Sequence, residues 1–311
     1  MYMQLNGKVM IQSPLNYTGG KFKLLPQILP YFPEQIDTFV DLFCGGCNVG
    51  INVPANKHIY NDCSEPLINL YSVMQRVDTD TFIERLDHII NKYQLSDVSK
   101  NGYEFYGCHS SDGLSSYNRE KYTKLREDVN SNKTYDEDYY TKLYALILYS
   151  FNNQIRFNHD GDFNLPPGKR DFNLKMRAKL HGFMVAIHEQ EALFSNRNFM
   201  DVNFDELTER DFVYADPPYL ITCASYNEQG GWTEAEERDL LDLLDELSKR
   251  NVKFALSNVL EAKGKTNNIL LDWINNRPKY KMLDLNYTYR NANYQRRERE
   301  AKTREILVIN Y

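Results

Sequence analysis

The stretch D-F-V-Y-A-D-P-P-Y-L-I, from Asp211 to Ile221, places an acid, two prolines and a tyrosine directly after an apolar run. Asp216 offers a carboxylate and Pro217 a backbone carbonyl, so two hydrogen-bond acceptors follow one another. The prolines restrict φ and remove two backbone N–H groups that would compete for those acceptors. Tyr219 supplies an aromatic face on which a planar ring can stack.

These groups suit methyl transfer to the exocyclic amine of a nucleic-acid base. Such an amine is a poor nucleophile because its lone pair is delocalised into the ring. Two acceptors that take both amine hydrogens favour a pyramidal nitrogen, with its lone pair directed at an electrophile. Rate would come mainly from alignment and electrostatic positioning. The predicted catalytic residues are Asp216, Pro217, Pro218 and Tyr219. A strand that ends in a proline turn, with Asp216 as a capping residue, is the structural alternative.

A glycine-containing turn upstream predicts a nucleoside-like cofactor. The turn F-C-G-G-C-N-V-G, from Phe43 to Gly50, follows an apolar run rich in β-formers, and glycine lets the backbone approach a ligand closely. Asp62 ends the next such run, where an acid can accept hydrogen bonds from ribose hydroxyls. The spacing departs from G-x-G-x-x-G, which argues against a dinucleotide and against an NAD-dependent dehydrogenase. The predicted cofactor is S-adenosyl-L-methionine.

The cysteines and the apolar runs bound the cellular setting. Cys44 and Cys47 form a C-x-x-C, but a zinc site needs about four ligands and the sequence offers no second pair, so no metal is predicted. Five scattered cysteines suggest reduced thiols. The N-terminus lacks a secretory pattern, and no apolar run approaches the roughly 20 residues of a membrane helix. We therefore expect a cytoplasmic protein, in a bacterial or phage-infected cell, without a membrane partner.

Strand and helix patterns alternate at both ends of the chain. Thr233 and Glu236 form a capping box before a leucine stripe, and V-K-F-A-L-S-N predicts the strand that follows. K-M-L-D-L-N-Y-T-Y-R and R-E-I-L-V-I-N-Y alternate like two paired strands around a basic loop. Such alternation is typical of an α/β sheet. The region from about Tyr71 to Gln190 is mostly helical and polar. The predicted domains are therefore a discontinuous catalytic domain, 1–70 and 191–311, and an inserted target-recognition domain, 71–190.

The charge distribution suits a polyanion on one face. The net charge of -6 argues mildly against wholesale nucleic-acid binding, but it is uneven. Phe151 to His181 contains six basic side chains and three acids, and Lys279 to Glu305 contains eight bases and four acids. Ordinary solvated charge would give the same composition, so the motifs must decide.

The whole set of motifs resembles the Dam family of DNA adenine-N6 methyltransferases, and in particular its T-even bacteriophage branch. The resemblance runs nearly end to end in the order of the family's α group. It is carried by N-Y-T-G-G-K with L-L-P, F-V-D-L-F-C-G-G, N-D at Asn61–Asp62, K-L-R-E-D, I-R-F-N, P-P-G-K-R, D-F-V-Y-A-D-P-P-Y-L-I-T and K-F-A-L-S-N-V-L-E. The implied fold is a Rossmann-like S-adenosylmethionine-dependent methyltransferase sheet with an inserted, mostly helical DNA-recognition domain that carries a β-hairpin loop.

The resemblance also implies the site residues and the partner, duplex DNA. The cofactor-binding set is Tyr17, Lys21, Phe43, Gly45, Asp62 and Asp216. The target adenine would be flipped out, as the chemistry also requires, because N6 inside a duplex cannot meet a methyl donor in line. In the family, the hairpin matching Phe151 to Arg170 reads GATC. The implied DNA contacts are Phe151, Asn152, Gln154, Arg156, Asn158, Pro166 and Arg170.

Among these contacts, Arg156 and Arg170 match base-reading arginines, which suit the guanine major-groove edge. Pro166 matches a residue that packs on a thymine methyl, and Phe151 and Asn152 match side chains that help to open the duplex. Phosphate contact or surface solvation is the alternative for the two arginines.

Three departures from the family pattern bear on sequence specificity. Gln154 replaces an apolar residue, Asn16 replaces a lysine found in some members, and 101–117 has no counterpart in the phage branch. Alternative functions are N4-cytosine methylation, methylation of a glutamine side chain, and a non-catalytic DNA-binding regulator on the same fold. A monomer or weak dimer on DNA is expected, with phage protection, restriction–modification or regulation as its role.

Overall fold

The computed structural model describes residues 3–5, 7–222, 231–286 and 303–311. The chain separates into two compact units, each continuous in space but not in sequence. The helical unit comprises Met1–Gly20 and Ser64–Gln190, and the sheet unit comprises Lys21–Cys63 and Glu191–Tyr311. The basic loop predicted between the last two strands, 287–302, lies outside the described residues.

The strands are short, and all but the first two belong to the sheet unit. They are β1 (Gln4–Leu5), β2 (Lys8–Val9), β3 (Thr38–Asp41), β4 (Lys57–Asn61), β5 (Ala192–Ser195), β6 (Phe212–Ala215), β7 (Lys253–Ala262), β8 (Lys265–Thr266), β9 (Lys281–Leu285) and β10 (Arg304–Ile309).

The longer helices are found in both units. The α-helices are α1 (Leu25–Ile28), α2 (Glu65–Arg76), α3 (Thr79–Lys92), α4 (Val98–Asn101), α5 (Ser115–Ser131), α6 (Glu137–Tyr149), α7 (Leu174–Glu189), α8 (Glu234–Lys249) and α9 (Asn268–Asn275). Short 3₁₀ turns cover Phe22–Leu24, Leu29–Tyr31, Gly50–Asn52, Glu104–Tyr106, Phe151–Asn153 and Phe199–Asp201. Among the helices that the structure describes, none has the length and apolar character needed to cross a bilayer.

The sheet unit is built on one sheet with the order β5-β4-β3-β6-β7-β10-β9, to which β8 adds by pairing with β7. The pairs from β5 through β7 are parallel, whereas β10 runs antiparallel to both β7 and β9. The predicted α/β class and the predicted pairing of the last two strands are therefore confirmed. The chain continues from β3 to β4 on one side and returns to β6 on the other. In open α/β sheets, ligands bind beyond the carboxyl ends of the strands at such a reversal.

Helix α8 covers the sheet and begins where the sequence predicts. Thr233 Oγ1 accepts from the Glu236 N–H (3.3 Å), and the Glu236 carboxylate accepts from the Thr233 N–H (2.8 Å). This capping box satisfies two N–H groups that a helix start leaves without partners. Leu240 and Leu244, one turn apart, are buried in a core shared with β6, β7 and β10.

The helical unit packs around α6. Nearly every residue of this helix from Tyr139 to Tyr149 is buried, because α2, α3 and α5 all contact it. A helix that is apolar on nearly all sides suits such a central position. The N-terminal residues join this unit, whereas the predicted catalytic range began at residue 1. The Tyr144 hydroxyl donates to the Pro14 carbonyl (3.5 Å), a contact between residues far apart in sequence that no local pattern reveals.

Candidate active site

Asp216 directly follows β6, and Asp41 is the last residue of its neighbour β3. Both acids therefore lie at the carboxyl edge where the strand order reverses. The Asp216 side chain is 17% exposed, Pro217 is buried, and Pro218 is exposed. The predicted catalytic loop thus occupies the position at which sheets of this kind bind ligands.

A buried lysine organises this loop. Lys21 is only 2% exposed, and its ammonium lies 2.9 Å from Asp216 Oδ1 and 3.2 Å from Glu305 Oε1. It also donates a very short hydrogen bond to the Tyr219 hydroxyl, which donates to Asp216 Oδ1 (2.8 Å). The same hydroxyl lies 3.3 Å from Glu305 Oε1. We call Lys21, Asp216, Tyr219 and Glu305 the lysine cluster.

Burial and charge oppose one another in the lysine cluster. Burial alone would lower the pKa of Lys21, but the carboxylates of Asp216 and Glu305 outweigh it, and the pKa is raised. The pKa of Asp216 is raised, mainly by burial and also by Glu305, and the Lys21 ammonium and the Tyr219 hydroxyl limit that rise. Lys21 therefore stays charged and favours the ionised form of Asp216.

The lysine cluster differs in two ways from what the sequence predicts. Loss of the proline N–H groups was expected to leave the acceptors of the loop without competing donors. Instead, two side chains donate to Asp216 Oδ1, while within the described residues no donor reaches Oδ2. Glu305, at 1% exposure on β10, was not singled out at all. Its only local signal is an acid inside the apolar pattern R-E-I-L-V-I-N.

The glycine turn after β3 is held by two acids. The Gly45 N–H donates to Asp62 Oδ2 (3.0 Å), and the Gly50 N–H donates to Asp41 Oδ2 (3.2 Å). Gly45 has φ +43, a conformation that glycine adopts without strain. A Cβ at Gly50 would collide with the ring of Tyr60, so this position requires glycine for space. The predicted cofactor residues Gly45 and Asp62 are thus brought together.

Asn61 fixes the carboxyl edge beside this turn. Its side-chain amide donates to the carbonyls of Leu42 and Arg197 (3.1 Å each), and its oxygen accepts from the Arg197 N–H (3.2 Å). These bonds link the ends of β3 and β4 to the loop after β5. Sequence reasoning treated the N-D pair as a motif without assigning this role to the asparagine.

Three acids near the turn act on one another. Burial raises the pKa of Asp41 to about 8, and the Gly50 N–H opposes that rise while Asp216 and Asp62 add to it. Mutual repulsion of this kind shows that Asp41, Asp62 and Asp216 share one electrostatic environment.

An aromatic cluster lies beside the turn. The ring of Phe43 lies 5.5 Å from that of Phe199 and 5.7 Å from that of Trp232. The rings of Phe43 and Trp232 meet edge to face. Trp232 is oriented by its indole N–H, which donates to Glu237 Oε2 (2.6 Å). Phe43 is only partly buried, so an apolar face is present next to Gly45.

Cys44 and Cys47 are both buried. Burial raises the pKa of the Cys44 thiol well above its ordinary value, with Cys47 and the nearby acids adding to the effect. A thiol held in its protonated form is a weak nucleophile and a weak metal ligand. This supports the interpretation of both cysteines as small side chains in a tight turn.

The predicted DNA-binding residues lie in the helical unit, in the hairpin between α6 and α7. The Phe151 N–H donates to the Pro166 carbonyl (2.8 Å), and antiparallel bridges join Ser150 to Pro167 and Phe157 to Phe163. Phe151, Asn152, Arg156, Pro166 and Arg170 are exposed, and Gln154 and Asn158 are half-buried.

The backbone at the base of this hairpin is unusual. Asn152 and Asn153 have φ of 57 and 52, in the left-handed region that asparagine tolerates better than most residues. The Asn16 side chain donates to the Asn152 carbonyl (3.0 Å) and so supports this turn. Tyr17, the neighbour of Asn16, is half-buried in the same unit, and its predicted cofactor contact stays a prediction.

Inside the hairpin, polar side chains hold its shape. Arg156 Nε donates to Asn164 Oδ1 (2.7 Å) on the opposite arm. Asn158 Oδ1 accepts from the N–H groups of Asp160 and Asp162 (3.0 and 2.8 Å), which closes the tip. The oxygen of Asn158 therefore has a structural role in addition to any contact with DNA.

Comparison with known proteins finds a family model that matches most of this chain. The family model described as D12 class N6 adenine-specific DNA methyltransferase matches residues 17–291. Type II methyltransferase M.FokI from Planomicrobium okeanokoites is 39% identical over 307 residues, which cover 97% of this chain and 43% of the relative.

Two further relatives differ in the share of their own length that matches this chain. Modification methylase StsI from Streptococcus sanguinis is 37% identical over 98% of this chain and 43% of its own length. DNA adenine methylase from Escherichia coli (strain K12) is 24% identical over 78% of this chain and 79% of its own length. The chain therefore spans less than half of the two modification enzymes but most of the adenine methylase.

The raised pKa of Asp41 predicts a pH-dependent stability. A carboxyl that binds its proton more tightly when folded contributes stability that is fully present below its unfolded pKa of about 4 and is lost as pH rises through about 8. Asp41→Asn replaces the titrating carboxyl with an amide that does not titrate. The unfolding free energy of the wild type minus that of the variant should fall between pH 5 and pH 8, by up to about 1.4 kcal/mol per unit.

Urea unfolding followed by tryptophan fluorescence measures this difference, because both tryptophans, Trp232 and Trp273, lie in the sheet unit. Asp201→Asn, at an exposed acid of the same unit, is the matched control. A difference that does not change with pH, or one that the control reproduces, would contradict the prediction.

Proposed function

The chain belongs to the family of D12 class N6 adenine-specific DNA methyltransferases, and from this membership we propose that it transfers a methyl group from S-adenosyl-L-methionine to N6 of an adenine in duplex DNA. The observation that carries the proposal is the orientation of Asp216, whose Oδ1 is held by Lys21 and Tyr219. Its Oδ2 and the carbonyl of Pro217 are the two acceptors that an exocyclic amine needs.

Lys21 and Tyr219 prepare Asp216 to accept. A protonated carboxyl would present a donor to the amine, and burial favours that form. The ammonium 2.9 Å from Oδ1 works against it without occupying the other oxygen. Because these donors are fixed before substrate arrives, the carboxylate needs little reorganisation when the amine binds. No strong base is required, since a methylated ammonium is itself very acidic.

The residues around the glycine turn fit the cofactor. Asp62, which accepts from the Gly45 N–H, would also accept from ribose hydroxyls, and Gly45 would allow close approach of the backbone. The carboxylate of Asp62 suits a ligand that carries a sulfonium and an ammonium, and Phe43 offers an apolar face to an adenine ring. S-adenosyl-L-methionine supplies an electrophilic methyl group when bound. Tyr17 and Lys21 are assigned to its surroundings by the resemblance alone.

The hairpin of the helical unit would read the DNA. Arg156 and Arg170 are exposed, as base contacts require, and a bidentate arginine distinguishes guanine in the major groove. We propose that Phe151 and Asn152 help to open the duplex, that Pro166 and Gln154 contact bases, and that the target adenine is flipped out. GATC is the first recognition sequence to test.

The relatives suggest a biological role. M.FokI and StsI are named as a type II methyltransferase and a modification methylase, and both are more similar to this chain than the Escherichia coli adenine methylase is. We therefore favour restriction–modification over phage protection, in a cytoplasm that contains the DNA to be protected.

Asp216→Ala should abolish methyl transfer while duplex binding persists. Loss of a preorganised electrostatic group costs about 100-fold or more in rate, so single-turnover transfer should fall by at least that factor. Binding, measured by fluorescence anisotropy on the same duplex, should stay within about threefold, because the hairpin lies in the other unit. Asp239→Ala, at an exposed acid of the same unit, is the control. Near-normal turnover of Asp216→Ala would refute the assignment.

Sequencing that detects modified bases tests the product and the site together. DNA from cells expressing the protein should carry N6-methyladenine at one short sequence, with GATC expected. Arg170→Ala should relax the choice at one base pair by about tenfold. N4-methylcytosine as the sole product would replace the adenine proposal, and equal weakening on all duplexes would make Arg170 a phosphate contact.

A further inference from the structure

We propose that the segment from Val98 to Leu114 is a specificity-determining clamp, which fixes Arg170 from outside the hairpin. The inference rests on the proposed function, because it takes base reading by Arg170 as its starting point. It assigns a role to a segment to which the proposed function gives none. All of its contacts lie within the helical unit.

Each of three consecutive residues is held by a different part of the clamp. The Lys169 carbonyl accepts from the Leu114 N–H (3.2 Å), and the buried Asp171 carboxylate accepts from the Val98 N–H (2.8 Å). Between them, Arg170 Nη1 lies 3.4 Å from the Tyr103 hydroxyl. A contact to the backbone of Lys169 and a contact to the side chain of Asp171 therefore flank Arg170, whose own side chain meets a third contact.

Gly113 brings the clamp against the hairpin. It has φ +79, and a Cβ there would lie 2.6 Å from Lys169 Cβ and 3.1 Å from Lys169 Cα. A side chain at 113 would therefore push the backbone next to Arg170. Gly264, in the sheet unit, has a similar φ of +76 but open space around it, so it has the positive φ without the contact.

The clamp is itself a fixed structure. The Tyr106 hydroxyl accepts from the Asp97 N–H (2.8 Å) and from the Asn101 side chain (2.7 Å), which closes the segment at its base. The Tyr106 ring packs edge to face on Tyr117 at the start of α5 (4.6 Å). Leu114 is completely buried. The contacts to Lys169 and Arg170 thus connect the hairpin to the segment between α4 and α5.

Arg156 is supported differently, and this makes the clamp testable. Its guanidinium bonds to Asn164 on the other hairpin arm, and the Asn164 N–H returns to the Arg156 carbonyl (3.2 Å). The two arginines therefore depend on separate supports. Damage to the clamp should affect only the base pair that Arg170 reads.

The test compares two clamp variants with two matched controls. Gly113→Ala introduces the contact with Lys169, and Gly264→Ala introduces only the backbone strain, at a position of the sheet unit outside the clamp. Tyr103→Phe removes the hydroxyl beside Arg170, and Tyr117→Phe removes a hydroxyl from a residue whose ring makes the contacts with Tyr106 and Lys121. Arg170→Ala and Arg156→Ala identify the base pairs that each arginine reads.

Discrimination is measured on duplexes in which each base pair of the wild-type site is replaced in turn, by competition binding and by single-turnover methylation. We expect Gly113→Ala and Tyr103→Phe to lose about tenfold in discrimination at the Arg170 base pair and less than twofold elsewhere. The two controls should match the wild type. If Gly113→Ala does not fold, the discrimination of Tyr103→Phe alone tests the clamp.

Unchanged discrimination in Tyr103→Phe and in folded Gly113→Ala would overturn the clamp, and so would an equal loss at every base pair. Failure of the proposed function is seen separately, as a wild type that binds one sequence but forms no N6-methyladenine. The binding ratios still judge the clamp in that case. A wild type that binds all duplexes equally would overturn both.

Discussion

The structure of the active site depends on a single buried positive charge. Lys21 is 2% exposed, and burying an ammonium is costly unless anions and acceptors surround it. Asp216 and Tyr219 from one loop and Glu305 from β10 provide these, and both parts of the chain are far from Lys21 in sequence. Removal of Lys21 would leave the carboxylates of Asp216 and Glu305 inside the protein without a cation. The charge therefore determines how the loop after β6 lies against β10, and so where the acceptors of Asp216 point.

The sheet order makes this arrangement possible. The reversal between β3 and β6 places the glycine turn, with Asp41 and Asp62, beside the loop of Asp216. One edge of the sheet thus carries both the glycine turn with its two acids and the loop that holds Asp216. We propose that the helical unit recognises DNA, and there Arg156 contacts Asn164 within the hairpin while Arg170 contacts Tyr103 of the proposed clamp.

Local patterns predicted the strands and the capping box at Thr233, because each is encoded by neighbouring residues. The loop from Asp216 to Tyr219 was found in the same way, since an acid and two prolines after an apolar run are visible in a short window. Glu305 was missed because its partner Lys21 is distant in sequence and only the antiparallel insertion of β10 brings them together. The role of Gly113 was equally hidden, because the need for glycine arises from Lys169, a residue of another segment.

A double-mutant cycle tests most directly whether one buried charge organises the lysine cluster. The unfolding free energies of the wild type, Lys21→Met, Glu305→Gln and the double variant are measured by tryptophan fluorescence in urea. If Lys21 and Glu305 stabilise one another, the losses of unfolding free energy in the two single variants should sum to more than the loss in the double variant. The difference, the coupling energy, should exceed about 1 kcal/mol. Losses that add within about 0.5 kcal/mol would show that Lys21 and Glu305 act independently, and the account would be wrong.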